Sequence, residues 1–331
     1  MEIESNMIIK NDKLEAFDIL KKAFTISATN IKFLIFTILT SLPLFCFLVY
    51  YEPFLQRFIL EISEILRPSK DDYFGYLSSR PFQLSIPSLP TDMTTKLNNE
   101  FPGGLVQIAL LYLIPLHLLE LSTVLVIVDL ASKTYTTQEE EEPPLTLMEM
   151  VHKPFDVTRV LGTLVTFVYV VIMSSSSLLG LVWLAVIYYV VTMFFYDVLV
   201  IMWCWVGFVG LLTLYLGWIA ALNMSVVISI LEGRYGTKAI ALAICYSVGN
   251  EWRGFRLMLV FFAWEVGLRL PCIYFGCKGT WSVGILTQIG FFCLGNVVKW
   301  VVFTIYFYDC KNREIERKMM MKAKKRAVES G

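Results

Sequence analysis

Long apolar runs alternate with short polar stretches along the chain, and the runs have the length of membrane-spanning helices. A spanning helix needs about 20 mainly apolar residues. Residues 33–51 carry no charge and supply one such run. Residues 101–128 supply a second, interrupted only by His117 and Glu120. Residues 160–231 carry a single charge, Asp197, and hold either two long helices that turn near it or three shorter ones. Residues 257–276, with Glu265 and Arg269, and residues 281–308, with Lys299, complete the series.

Charge placement orients these runs. Lys10, Lys13, Lys21, Lys22 and Lys32 precede the first, and Lys311, Arg313, Arg317, Lys318, Lys322, Lys324, Lys325 and Arg326 follow the last. Basic segments stay on the cytoplasmic side, so both termini are expected there. An even number of crossings follows, hence two helices within 160–231 and six spans in all, at about 33–51, 101–128, 160–190, 199–231, 257–276 and 281–308. The expected fold is an all-α, six-helix polytopic membrane bundle. It is flanked by an amphipathic N-terminal segment (residues 1–32) and a basic tail (residues 309–331).

Shorter patterns fill the gaps. Residues 11–29 read as an interfacial helix, capped by Asn11 or Asp12, with Leu14, Phe17, Leu20 and Phe24 as its apolar stripe and Asp12–Glu15 at capping-box spacing. Residues 52–100 form the main outer loop. Phe54 to Leu66 is expected to be an amphipathic helix, and Pro81, Pro87 and Pro90 break regular structure beyond it. Glu139 to Glu142 followed by Pro143 and Pro144 mark a solvated linker. Residues 233–256 read as a second interfacial helix or a simple turn, with Tyr235, Ala239, Ala243 and Tyr246 towards lipid or bundle and Trp252 at the headgroups. Lys322, Lys324, Lys325 and Arg326 in the tail are candidates for contact with anionic lipid headgroups.

Composition narrows the function classes. Of 331 residues, 56% are hydrophobic and only 17% charged, against about 25% charged in soluble domains. Mean hydropathy is +0.64. The bilayer is therefore the expected partner, and a soluble enzyme or nucleic-acid binder is excluded. The seven cysteines, Cys46, Cys204, Cys245, Cys272, Cys277, Cys293 and Cys310, follow no metal or disulfide spacing, although Cys272 and Cys277 are close enough in sequence to pair. With only His117 and His152 present, a histidine metal cluster is not expected. Phosphate-loop, nucleophile-elbow, zincin and dinucleotide motifs are not found. No cofactor and no enzymatic activity are expected. No cleavable signal peptide is expected either, since no long apolar run begins before Lys32.

Ionisable residues inside hydrocarbon are the strongest pointers to a site, because each is costly when unpaired. Glu120 precedes Asp129 by nine residues, Asn223 precedes Glu232 by nine, Glu265 follows Arg256 by nine and Lys299 precedes Asp309 by ten. At 1.5 Å per residue all four lie about 14 Å from the same membrane edge. Lys299 is expected to pair with Glu265 or Glu120, Asn223 to hydrogen-bond to the cluster, Glu265 to face Arg269 at i,i+4, and His117 to share a face with Glu120. Two uses remain open. One is a neutralised clamp that fixes helix packing. The other is a proton or substrate site for transport. Gly217, Ala221, Ser225 and Ser229 recur every four residues, a small-residue face suited to close helix approach. Asn223-Met224-Ser225 is a glycosylation sequon buried in a span and is not expected to be used. Ser174 to Ser177 are expected to bond back to their own helix.

Several segments also resemble a large plant family of multi-pass membrane proteins without an assigned activity. They are residues 30–49 with Leu42-Pro43-Leu44, residues 121–136, residues 159–163, and residues 218–232 with Val226-Val227-Ile228-Ser229-Ile230-Leu231-Glu232-Gly233, then Gly236, Ala239 and Ile240. More loosely, the pattern is similar to the membrane domain attached to some bacterial glycerophosphodiester phosphodiesterases. The chain departs at Ala243, where serine is usual, and at Tyr246, where leucine is usual. The resemblance implies six spans and a plant source, and it carries no catalytic residue. The expected function is a non-enzymatic structural, trafficking or interaction component of an endomembrane or the plasma membrane. The alternative is a small-solute or lipid transporter using the polar cluster.

Overall fold

Backbone N–H and C=O groups within lipid find no water, so apolar runs of this length satisfy them internally as helices. The computed structural model describes residues 15–65, 102–139, 157–194, 198–275 and 283–329. Eight helices and no strand are found among them: α1 Ala16–Thr29, α2 Ile31–Ile65, α3 Pro102–Glu139, α4 Val157–Phe194, α5 Val198–Glu232, α6 Thr237–Ser247, α7 Glu251–Phe275 and α8 Val283–Glu329. Residues 160–231 thus hold two long helices, not three. Five helices, α2, α3, α4, α5 and α8, contain segments long and apolar enough to cross a membrane; α7 is not among them.

Contacts at the two ends show how the long helices run. At one end, Arg159 at the start of α4 donates to the Ile230 carbonyl near the end of α5. Arg253 at the start of α7 pairs with Asp309 on α8, and Lys22 on α1 donates to the Tyr135 hydroxyl near the end of α3. At the other end, Tyr51 late in α2 lies against Tyr112 early in α3, and Tyr188 late in α4 meets Trp205 early in α5. Helices α2, α4 and α7 therefore leave the first end, and α3, α5 and α8 return to it. The short helix α6 stays there, after a turn in which Gly233 and Gly236 adopt positive φ, a conformation that suits glycine.

The core is organised by α5 and α8. Leu222, Val226, Val227 and Ile228 on α5 and Val301, Val302, Phe303 and Phe307 on α8 are fully or almost fully buried. A smaller cluster at the far end joins Leu44 and Leu48 of α2 to Ile285 and Ile289 of α8. Elsewhere the outward surface stays apolar. Trp183, Trp203, Val206 and Leu214 are exposed, as a lipid-facing surface requires.

In the flanking segments, the start of the first helix differs from expectation. Helix α1 begins at Ala16, and the Glu15 N–H bonds the Asp18 carboxylate at 3.0 Å, so the reciprocal cap uses Glu15 and Asp18 instead of Asp12 and Glu15. Of the expected apolar stripe, Phe17 (76% exposed) and Phe24 (57%) lie on the outer surface and Leu20 packs against the core, which the helix meets mainly through Ile19, Ala23 and Ile26. The larger apolar residues face out because the smaller ones let α1 lie against α8. The segment from Phe54 is helical as expected, to Ile65, as a continuation of α2, and the last span continues as one helix, α8, through the basic tail to Glu329. Asn11, Asp12, Leu14, Pro81, Pro87, Pro90, Glu140 to Pro144, His152, Asp197 and Cys277 lie outside the described residues.

Candidate functional site

The polar residues that the sequence places at one depth come together in space. His117 and Glu120 sit one turn apart on α3, two and five residues beyond Pro115, whose ring removes a backbone donor from the helix. Their Nδ1 and Oε2 atoms are 3.3 Å apart. Asn223 from α5, Glu265 from α7 and Lys299 from α8 line the same cavity of about 210 Å³. Phe167, Val170, Val171, Ser174 and Ser175 of α4 close another side. Tyr215, Leu216 and Ile219 of α5, Met258 and Phe262 of α7 and Trp300 of α8 complete the wall. Five helices thus contribute. The side chains of Glu120 and His117 remain 26% and 28% exposed, so the cavity is not sealed around them.

The expected pairings within the cluster form only in part. Lys299 makes no ion pair within 4.0 Å with Glu120 or Glu265. Its Nζ lies 5.4 Å from the centre of the Trp300 ring. Trp300 is in turn fixed by a 3.1 Å bond from its Nε1 to the Asn296 carbonyl oxygen. The Asn223 amide donates to Met258 Sδ at 3.4 Å, not to a charged member. Arg269 does not line the cavity: it is exposed, with its guanidinium 6.0 Å from the Phe292 ring centre, and no ion pair to Glu265 forms. A helical i,i+4 spacing permits that pair but does not compel it, since an aromatic face competes for the guanidinium. Ser176 and Ser177 bond back to the Met173 carbonyl, whereas Ser174 lies beside the Tyr215 hydroxyl.

The small-residue face of α5 divides. Ser225 and Ser229 are fully buried, their hydroxyls bonded to the carbonyls of Leu222 and Val226 at 2.7 Å. At Gly217 a Cβ would meet nothing within 4 Å, so the close approach expected there does not occur. It occurs instead at Gly162 against the Tyr235 ring, at Gly254 against Tyr306 and Ala220, and at Gly295 against Trp264.

A second polar layer, at the end where α1 and α6 lie, was not read from the sequence as a unit. Asp309 accepts from Arg253 at 2.6 Å and from Arg313 at 3.0 Å. Lys311 pairs with Glu232 at 2.8 Å, tying α8 to α5. The Tyr306 hydroxyl donates to the Asn250 carbonyl, and Arg317 donates to the Val248 carbonyl. Its one sequence signal was the charge bounding each apolar run. Lys322, Lys324, Lys325 and Arg326 are exposed on the last turns of α8 and take part in none of these pairs.

Among the described residues no group of three His, Cys, Asp or Glu side chains is placed to hold a metal ion. Cys46, Cys204, Cys245, Cys293 and Cys310 are free thiols. A comparison of the chain with protein families, with curated proteins and with solved structures finds no match in any of the three.

Proposed function

We propose that the chain is a non-enzymatic multi-pass membrane protein that carries a small polar solute through its intramembrane cavity. The observation behind this reading is that charged side chains from α3, α7 and α8 line one unsealed cavity without an ion pair between helices. A clamp that only fixes packing gains from closing such pairs, because buried charges cost several kcal/mol when left apart. A carrier gains from leaving them open for a ligand.

In the same reading α7 is the sixth crossing, and both termini are cytoplasmic. The supports are the alternating run of the helices, the meeting of α1 with α3 and α8 at one end, and the basic residues at both termini. The membrane is an endomembrane or the plasma membrane. Membership of the plant multi-pass family belongs to this reading and rests on Leu42-Pro43-Leu44 and residues 226–233. A structural, trafficking or interaction role is the second reading. The basic, exposed end of α8 favours it as a docking segment for anionic lipid headgroups or a partner.

The carrier function is tested by reconstituting the full chain in proteoliposomes and recording solute-driven flux for amines, carboxylates, sugars and amino acids. Flux for at least one class, lost in Glu120→Gln or Glu265→Gln, is expected. No protein-dependent flux for any class would overturn it.

A further inference from the structure

We infer that the cavity takes a small organic monocation, an ammonium compound seated against Glu265; this rests on the carrier reading and names its substrate class.

The charge balance of the lining points to a cation. Two carboxylates, Glu120 and Glu265, face one ammonium, Lys299, and one imidazole, His117. The His117 imidazole lies 3.3 Å from the Glu120 carboxylate, on the same helix. Among the described residues Glu265 has no ion-pair partner within 4.0 Å, and the nearest guanidinium in sequence, that of Arg269, is turned onto Phe292 outside the lining. By formal charge, two carboxylates against one ammonium, the set lacks one positive charge. An uncompensated charge at this depth is costly. A monocation cancels it, a zwitterion or neutral solute leaves it, and an anion doubles it.

The wall has the chemistry of an ammonium site. Phe262 stands one turn before Glu265 on α7, and Tyr215 on α5 lines the same cavity. Aromatic faces beside a carboxylate attract cations through the ring quadrupole, most strongly when water is displaced. Trp300 already has the Lys299 ammonium over its ring at 5.4 Å. The volume, about 210 Å³, lies below the roughly 300–1,000 Å³ of drug-sized sites, so the solute is small.

The test is calorimetric titration of the full chain in nanodiscs with tetramethylammonium and ethanolammonium chloride, and with sodium acetate, glycine and glycerol at matched ionic strength. Saturable binding of an ammonium probe is expected. Glu265→Gln should weaken it about tenfold or more, the effect of losing one charge-assisted contact. Glu265→Asp should restore part of the affinity, and Lys299→Met should bind at least as tightly as the parent. Thermal unfolding of each variant separates a binding loss from a folding loss. Preferential binding of acetate, glycine or glycerol would overturn the cation assignment and leave the carrier reading standing. Ammonium binding indifferent to Glu265→Gln and Glu265→Asp would overturn the seat. Silence from every probe, with flux retained for another solute class, would overturn the cation alone; silence in both titration and flux would overturn the carrier as well.

Discussion

Arg253 at the start of α7 and Asp309 on α8 form a 2.6 Å ion pair, with side chains only 13% and 10% exposed. Asn250 accepts from the same guanidinium, and Arg313 adds a second donor to Asp309 at 3.0 Å. The pair fixes where α7 begins relative to α8, and so how far down α7 the carboxylate of Glu265 sits. Removing one partner strands the other in a poorly hydrated place. Arg253→Ala is expected to destabilise by about 2–3 kcal/mol, and Asp309→Asn by less, since it keeps a hydrogen-bond acceptor. Thermal unfolding of the detergent-solubilised protein checks this; equal stability of Arg253→Ala and the parent would show that the pair contributes nothing.

The glycines separate by what surrounds them. A Cβ on Gly254 would meet the Tyr306 hydroxyl at 3.0 Å and the Ala220 Cβ at 3.2 Å. Tyr306 is almost fully buried and bonded to the Asn250 carbonyl, so it has nowhere to move. Gly254→Val is expected to cost about 1–3 kcal/mol through overpacking. Gly217→Ala fills open space on α5. Its expected effect is neutral or stabilising by up to about 1 kcal/mol, the helix-propensity difference. Melting curves of the two variants, run side by side, decide between this map and one in which Gly217 carries the helix contact.

That the polar residues share one cavity was legible in the sequence, because their spacing from the bounding charges depends only on residue count. A helix rises by a fixed amount per residue, so counting from the bounding charges put Glu120, Asn223, Glu265 and Lys299 at one level, and these four line one cavity. Which of them touch was not legible, because that depends on helix rotation. Arg269 turning to Phe292, and Asn223 to Met258, are choices among partners supplied by neighbouring helices. The α1 stripe shows the same limit. Phe17 and Phe24 and the set Ile19, Ala23 and Ile26 both have helical spacing, and only the shape of the α8 surface selects the second. The Arg253–Asp309 pair joins residues 56 apart, a separation that no local pattern marks.

A double-mutant cycle separates clamp from open site. Direct pairing of Lys299 with Glu265 would make Lys299→Met and Glu265→Gln each destabilising, and the double variant would recover part of the loss. Without an ion pair within 4.0 Å between them, the coupling is expected to stay at about 0.5 kcal/mol, the low end for residues that share only a cavity. A coupling energy of several times that size would restore the clamp.

Topology is the last prediction and the one on which the charge argument depends. The positive-inside rule weighs Lys and Arg in short loops near span ends, and α6 carries Lys238 beside the layer formed by Arg253, Asp309 and Lys311. If α7 crosses, α6 and the end of α8 face the same compartment. Single cysteines introduced by Lys238→Cys and Lys324→Cys, in a chain cleared of its own thiols, should then react with an impermeant maleimide only after the cytoplasmic face is opened. Lys70→Cys, in the segment between α2 and α3, should react from the opposite face without permeabilisation. A Lys324 site accessible together with Lys70, while Lys238 stays protected, would mean that α7 and α8 make an odd number of crossings. Glu265 and Lys299 would then no longer share a depth with Glu120.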